Sequence, residues 1–258
     1  MNTPQAPVAI DLNADVGEGS PADATLIPLV SSVNIACGAH AGDAATMTRT
    51  VALAAAHGCA IGAHPGYADP EHFGRRALAL PVQTIHRSVA EQIDALAARA
   101  NAAGLHLTHV KPHGALYNQA ARAMDLAMAI AQAVHEVDPK LALVGLADSA
   151  LIAAGRRCGL RVAGEAFVDR RYEADGSLTP RDHPDALIDD PEDAARQVLT
   201  LLRTGRLMTR TGRVIACAAD TFCVHGDSPA ALALVQTLRQ RLAAAGIAVQ
   251  PLAISSTD

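Results

Sequence analysis

The residues of this chain that could do chemistry stand within or just after short apolar runs. The run IDLNAD places Asp11, Asn13 and Asp15 on one face of an extended segment, with aliphatic residues on the other. Other runs lead into the polar residues Asn34, His40, His64, His109, Lys111, His113, Glu165, His225 and Asp227. Histidine, carboxylate and lysine groups together can transfer protons, hold anionic groups or bind a metal ion. Their repetition favours one shared pocket over separate helix caps and solvated loop residues.

These runs are expected to be β-strands that alternate with helices. Their composition and spacing predict strands near 8–13, 32–36, 59–63, 107–111, 141–146, 161–166 and 221–225. Capping residues and terminal glycines predict helices at 44–57, 84–103 and 229–245. About seven βα units without a linker indicate a parallel sheet covered by helices, either a closed barrel or an open doubly wound sheet. A barrel would bring the C-terminal strand ends, and their polar residues, to one mouth.

Length and composition limit the class of protein. The 258 residues can form one domain, 1–258, with a large core. A net charge of −5 and an aromatic content of 2% argue against a nucleic-acid-binding surface. No apolar run is long enough to cross a membrane, and the segment MNTPQAPVAI has no signal-peptide pattern. A cytoplasmic protein is therefore expected.

Two basic residues are candidates for binding an anion. The chain has two lysines, and one of them, Lys111, stands at a strand end between two histidines. Its ammonium group could face a phosphate, a carboxylate or a developing oxyanion, or it could belong to a structural ion pair. Arg75, in the segment HFGRR, could bind a carboxylate through two parallel hydrogen bonds or could simply be solvated.

The sequence leaves a metal site open. Asp15, His40 and His64 are the candidate ligands, with His113 as a substitute, because histidines and a carboxylate from separate strands can hold a metal with an open position. There is no HExxH motif, and the same residues can do acid–base chemistry without a metal. Neither lysine follows a glycine, so a P-loop for ATP is absent from the sequence.

Six segments resemble, in order, the motifs of the LamB/YcsF family, the A subunits of ATP-hydrolysing 5-oxoprolinase. They are DLNADVGE (11–18), VNIACGAHAGD (33–43), GAHPGYADPEHFGRR (62–76), VKPHGALYN (110–118), EAFVDRRYEADGSLTPR (165–181) and CVHGDSP (223–229). The resemblance implies a TIM-like barrel of about seven βα units, similar to the glycoside hydrolase/deacetylase superfamily. It also implies ATP-dependent cleavage of 5-oxo-L-proline to L-glutamate, with ADP and phosphate as products, in a complex with subunits B and C.

This reaction suggests roles for the polar residues. Asp15 or His64 would be the base for water, His113 would donate a proton to the ring nitrogen, and Lys111 and Arg75 would hold anionic groups. The remaining polar strand-end residues would bind or orient the substrate, namely Asp11, Asn13, Asn34, His40, Glu165, His225 and Asp227. Which polypeptide of the complex binds ATP is left unassigned.

Two other functions fit the same residues. A metal-dependent deacetylase or carbohydrate hydrolase would use histidine and aspartate at strand ends in a similar way. A non-catalytic binding protein would use the pocket only for substrate or partners. The Ala-rich outer helices could also pack against a second copy of the chain, which would give a homo-oligomer.

Overall fold

A barrel of parallel strands forms the centre of the protein. The computed structural model describes residues 9–226 and 230–252. The strands are β1 (Ala9–Val16), β2 (Ser32–Ala36), β3 (Ala60–His64), β4 (His109–Val110), β5 (Ala142–Leu146), β6 (Arg161–Phe167), β7 (Arg206–Met208), β8 (Val214–Ala216), β9 (Thr221–Val224) and β10 (Ala248–Val249). Strands β1 to β6 pair in order, and β9 pairs with both β6 and β1. The seven parallel strands in the described ranges therefore close on themselves, which confirms the predicted barrel over the open sheet.

Helices cover the outside of the barrel. They are α1 (Asp23–Leu26), α2 (Ala44–Ala56), α3 (Val82–Ala102), α4 (Gly114–Ala120), α5 (Met124–Val137), α6 (Ala150–Arg157), α7 (Pro191–Thr204) and α8 (Ala231–Ala244). Helix α3 packs against α5, and α7 packs against α8. Among the described residues no helix is both long and apolar enough to cross a membrane.

Strand alternation separates the helix-facing core from the barrel interior. In β1, Leu12 and Ala14 are fully buried in the hydrophobic core, whereas Asn13 makes hydrogen bonds to side chains from other strands inside the barrel. The interior is unusually polar for a barrel of this kind, which is commonly filled by branched aliphatic residues. Gly62 provides room for one of these polar groups, because a Cβ at that position would overlap the imidazole of His109.

The element ends differ from the sequence prediction in identifiable ways. Strand β1 continues to Val16, three residues beyond its predicted end. Strand β4 contains only His109 and Val110, and the Lys111 N–H donates one further hydrogen bond to the Ala63 oxygen at 2.9 Å before Pro112, which has no N–H. The predicted cap at Asp43 is confirmed, since its carboxylate accepts a hydrogen bond from the Thr46 N–H at 2.7 Å. Helix α8 begins at Ala231, and the predicted start at 229 lies outside the described residues.

Candidate active site

A cavity of about 1090 Å³ lies where the parallel strands end. Its wall includes Asp15 at the end of β1, His64 at the end of β3, and Lys111 and His113 just after β4. His225, just after β9, also lies on this wall. Ligands of β/α barrels bind at this end, because the carboxyl ends of all the parallel strands meet there. The strand-end residues that were singled out in the sequence are thus close together in space.

Two histidines face each other at the base of this cavity. His64 Nε2 lies 3.0 Å from His113 Nδ1. The other nitrogen of each ring is next to a backbone carbonyl: His64 Nδ1 is 2.7 Å from the Lys111 oxygen, and His113 Nε2 is 2.8 Å from the Phe73 oxygen. A carbonyl accepts only, so both of these nitrogens carry a proton and donate it. In neutral rings, the two facing nitrogens would then present lone pairs to each other.

Carboxylate groups add negative charge beside the two facing histidine nitrogens. Glu18 Oε1 is 3.2 Å from His113 Nδ1 and 3.8 Å from His64 Nε2, and Asp15 Oδ2 is 3.3 Å from His64 Nε2. His40 stacks on His113 with ring centroids 3.7 Å apart, and its Nε2 is 3.2 Å from Glu18 Oε1. Because these atoms are all electron-rich, a positive charge, either a proton or a metal ion, is needed among them.

The titration of the two facing histidines indicates where a proton would reside. Burial lowers the pKa of His64, but the Asp15 and Glu18 carboxylates together outweigh burial and raise the pKa above its ordinary value. The pKa of His113 is lowered by burial and by the charge of His64. A proton held between the two facing nitrogens would therefore reside on His64, which could donate it toward His113 or Asp15.

The same cluster fits a metal ion. Glu18, His40, His64 and His113 each offer one ligand atom, and these four atoms lie within 4.8 Å of one another. Backbone carbonyls fix the outer nitrogens of His64 and His113, as outer-shell groups commonly do for metal-binding histidines. The sequence pattern suggested Asp15 in this set and did not include Glu18. In the structure Asp15 instead groups with Cys223 and His225.

Lys111 is part of a buried ion-pair network. Its ammonium nitrogen is 3.0 Å from Asp15 Oδ1 and 2.8 Å from Glu165 Oε1, and it donates to Cys223 Sγ at 3.1 Å. Burial alone would lower the Lys111 pKa, but the adjacent carboxylates raise it well above its ordinary value. Lys111 is thus a permanent cation whose charge is largely offset by Asp15 and Glu165. This is the structural ion pair that the sequence left open as the alternative to anion binding.

Four of the predicted substrate-binding residues lie in the barrel interior, away from the cavity wall. Asp11 accepts hydrogen bonds from Ser31, Ser32 and Thr221. The Asn13 amide donates to Glu165 at 3.0 Å. The buried residues Asp11, Asn13, Asn34 and Glu165 are not among those that line the cavity.

These four side chains are saturated by their partners in the described part of the chain. Asn34 donates to Asn13 Oδ1 at 2.7 Å and to Asp15 Oδ1 at 2.8 Å. Glu165, fully buried, accepts from Asn13, Lys111 and Tyr117. Because Asn34 contacts Asp15 and Glu165 contacts Lys111, these buried residues hold Asp15 and Lys111 in position. Their geometry does not support direct contact with a substrate.

Of the other predicted substrate-binding residues, His225 and Arg75 line the cavity, whereas His40 is buried against His113 and is not on the cavity wall. His225 Nδ1 is 2.9 Å from Asp169 Oδ2, and the His225 ring stacks on Phe167. This leaves Nε2 of His225 as the ring nitrogen available to a ligand. Arg75 is exposed and lies over the Phe73 ring, with 4.9 Å from its guanidinium carbon to the ring centroid. Asp227 lies outside the described residues.

Sequence reasoning missed three residues that complete the site. Glu18 follows Gly17, whose φ of +73° turns the chain after β1, so strand alternation could not place its side chain. Asp169 orients His225, and Tyr117 donates to Glu165 at 2.7 Å. The motif DLNADVGE contains Glu18, and the strand-end segment EAFVDRR contains Asp169. Only their position relative to other strands was missing.

Comparison with known proteins assigns the chain to a family. A sequence model of the LamB/YcsF family matches residues 10–257. The chain belongs to the LamB/YcsF family. It is 53% identical over 245 residues, or 93% of this chain and 96% of the relative, to a Geobacillus kaustophilus protein that is named as the A subunit of 5-oxoprolinase. The resemblance inferred from the six sequence motifs is thereby confirmed.

Solved structures support the same LamB/YcsF assignment. The crystal structure of the lactam utilization protein from Thermus thermophilus has a TM-score of 0.87 and 44% identity, covering 94% of this chain and 99% of that one. A family 4 carbohydrate esterase from Streptomyces lividans, in complex with acetate, has a TM-score of 0.51 at 12% identity, covering 98% and 96%. The second likeness concerns the fold alone and agrees with the predicted relation to deacetylase barrels.

Proposed function

We propose that this LamB/YcsF protein is the A subunit of an ATP-dependent 5-oxoprolinase. The complex would include subunits B and C and would convert 5-oxo-L-proline to L-glutamate while hydrolysing ATP to ADP and phosphate. The name of the Geobacillus relative, one subunit of a 5-oxoprolinase, supports the multi-subunit reaction. The observation that carries the proposal is the His64–His113 pair beside Asp15, at the wall of a cavity. A cytoplasmic location belongs to this proposal, since the reaction consumes ATP.

The chemistry explains why such a pair is needed. The amide carbonyl of a five-membered lactam is a poor electrophile, and phosphorylation of its oxygen would create a leaving group. Water could then add to the carbon, and the ring C–N bond would break as the nitrogen takes up a proton, which leaves an acyl phosphate. A second water would hydrolyse the acyl phosphate to the carboxylate of glutamate and free phosphate. The site must therefore remove a proton from water and deliver one to the ring nitrogen, and it must balance the negative charge that develops.

We assign the proton transfers to the histidine pair. When the facing nitrogens hold no shared proton, His64 Nε2 beside Asp15 would accept a proton from water. That proton would then pass to His113 Nδ1, and His113 would deliver it to the ring nitrogen. Asp15 would act mainly through its charge: burial favours its neutral form, but His64 and Lys111 hold its pKa well below the ordinary value. A carboxylate of such low basicity supports an adjacent imidazolium better than it removes a proton from water.

The network below the cavity would keep these groups in place. Lys111 ties Asp15 to Glu165, and Glu165 is in turn held by Tyr117. This lysine would stabilise negative charge in the site at a distance, because its amine is already occupied by carboxylates. We therefore assign binding of anionic substrate groups to Arg75, which lines the cavity.

A divalent metal is a second candidate component, favoured by the cluster of Glu18, His40, His64 and His113. Bound there, it would lower the pKa of a water ligand and polarise a carbonyl oxygen. In that case the chain could be a metal-dependent hydrolase related to the deacetylases. With no metal, the same histidines would perform the acid–base steps alone.

Reconstitution separates these functions. The chain would be assayed alone and with subunits B and C for glutamate formed from 5-oxo-L-proline, with and without ATP. We expect turnover only in the complete mixture with ATP. Hydrolysis of an acetylated sugar by the chain alone, abolished by a chelator, would instead establish the metal-dependent hydrolase.

The possibility of a non-catalytic role needs a separate test. A complex containing the double variant His64→Gln/His113→Gln should be inactive if this chain carries the chemistry. Full turnover by that complex, with the variant folded and incorporated, would mean that catalysis occurs in another polypeptide of the complex.

A further inference from the structure

Arg170 is a buried cation on the cavity wall with incomplete hydrogen bonding. Its exposed fraction is 4%, and it lies just after β6, where the loop crosses the mouth of the barrel. One terminal nitrogen, Nη2, donates to the backbone oxygen of Thr179. Its Nε is buried and has no hydrogen-bond partner among the described residues. An unsatisfied N–H of a buried guanidinium is costly unless a ligand accepts from it.

Among the described residues Arg170 forms no direct ion pair, although the charge of the adjacent Asp169 acts on it. The adjacent Asp169 is hydrogen-bonded to His225 at 2.9 Å. The charges of Arg181 and Arg75 act on Arg170, and burial together with these neighbours lowers its pKa to about 10. Arg170 itself, a buried guanidinium on the cavity wall whose Nε has no partner among the described residues, favours an anionic ligand.

The backbone holds Arg170 in a defined position before any ligand binds. Its segment forms a β-bridge with Leu187, and the N–H of Arg171 donates to the oxygen of Ala186 at 3.0 Å. From helix α7, the amide of Gln197 donates to the Arg170 oxygen at 3.1 Å. These contacts fix the backbone, and the Nη2 bond to the Thr179 oxygen fixes the side chain. A side chain that is already fixed loses little conformational freedom on binding, which increases affinity.

We propose that Arg170 is the specificity-determining residue that binds the carboxylate of 5-oxo-L-proline. The inference rests on the proposed function, because the carboxylate is the group that distinguishes this substrate from an uncharged lactam. A guanidinium presents its N–H groups in one plane, which matches the two oxygens of a carboxylate. Arg75 and Arg181 would add charge around the same ligand. With the carboxylate there, the lactam ring would extend across the cavity toward the histidine pair.

Binding to the full-length chain tests the proposal. Calorimetric titrations would use 5-oxo-L-proline, the uncharged lactam 2-pyrrolidinone and inorganic phosphate. We expect Arg170→Gln to weaken 5-oxo-L-proline binding about tenfold or more and to leave 2-pyrrolidinone binding unchanged. Arg122→Gln is the matched control, since Arg122 also lines the cavity but its side chain is 66% exposed. This control should bind 5-oxo-L-proline as the unaltered chain does.

A conservative variant guards against a merely structural effect. Arg170→Lys keeps the charge but loses the planar arrangement of donors, and we expect it to bind 5-oxo-L-proline with intermediate affinity. Thermal unfolding of each variant would verify that the loop remains folded. Equal weakening for 5-oxo-L-proline and 2-pyrrolidinone would overturn the proposal. Loss of phosphate binding with unchanged 5-oxo-L-proline binding would also overturn it, and would assign Arg170 to a phosphate instead.

The test distinguishes this inference from the proposed function. If the reconstituted complex turns over and its KM for 5-oxo-L-proline is unchanged by Arg170→Gln, the carboxylate assignment is wrong and the function stands. If the complete mixture shows no turnover but the chain binds 5-oxo-L-proline through Arg170, the carboxylate site stands and the function is wrong.

Discussion

His64 Nε2 and His113 Nδ1 lie 3.0 Å apart while each ring donates its other N–H to a backbone carbonyl. In neutral rings these two nitrogens present lone pairs to each other, so we expect either a proton or a metal ion between them. Each backbone carbonyl also keeps its ring from rotating. The proton and the metal ion lead to different expectations for variants of this cluster.

The variant His64→Gln should lower turnover of the reconstituted complex by about 10²–10⁴-fold, because the proton shared with His113 is lost. Glutamate formation would be measured beside thermal unfolding of the isolated chain. His135→Gln is the control, since His135 is an exposed residue of α5. Near-normal turnover by a folded His64→Gln complex would remove this histidine from the mechanism.

A metal held by the histidine cluster should depend on Glu18. We expect the chain to bind Zn²⁺ or Mn²⁺ in equilibrium dialysis, and Glu18→Gln to weaken the binding by about tenfold or more, because a charged ligand is lost. Glu71→Gln changes an exposed carboxylate and serves as the control. Equal metal affinity of the two variants would exclude Glu18 as a ligand.

Lys111→Met should destabilise the fold by about 3–5 kcal/mol, because Asp15 and Glu165 would be left as buried carboxylates without their cation. Urea unfolding would measure the difference in free energy. Lys140→Met is the control, since Lys140 is an exposed loop residue. A loss as small as that of the control would mean that the ion pairs contribute little.

The loss of stability in Lys111→Met should also depend on pH. In the unaltered protein the Asp15 pKa is well below its ordinary value, so its ionised form contributes stability at pH values above about 4, which is lost as the pH falls further. Without Lys111 the Asp15 pKa is lowered less, so the variant has less of this contribution. The difference in stability between the two proteins should therefore be larger at pH 6 than at pH 3, and a constant difference would contradict this coupling.

Gly62→Ala should destabilise the protein by about 1–3 kcal/mol, because its methyl group would overlap the His109 ring. In a His109→Ala background the same substitution should cost much less, since the ring is gone. A double-mutant cycle by urea unfolding measures this coupling. Additive losses would show that the two residues do not compete for the same space.

The barrel itself could be predicted from the sequence because its strands and helix ends carry local signals. Apolar alternation marks the longer strands, and glycines mark the helix ends. The hairpin of β7 and β8 and the strand β10 could not be found, since they contain only two or three residues each. Such short elements are determined by tertiary contacts and have no periodicity of their own.

The residues that gather at the mouth of the barrel could be predicted more easily than which of them line the cavity and which lie buried beneath it. Parallel strands end at one mouth, so the proximity of Asp15, His64 and His113 follows from the barrel. Whether a residue lies on the cavity wall or below it depends on the register between strands. Asp11 pairs with Thr221 at the level of the closed interior, two residues before Asn13. The sequence of β1 alone does not determine its register with β9.

Closure of the barrel also has a consequence for biosynthesis. Strand β1 pairs with β9, so β1 must wait, once it has been translated, for a strand that follows much later in the chain. Until then, both edges of the growing sheet are open to pairing with other chains, and the cavity lacks the wall that carries His225. An incomplete chain would therefore be prone to aggregation and have no partial activity, and the pocket would form only after β9 has been translated.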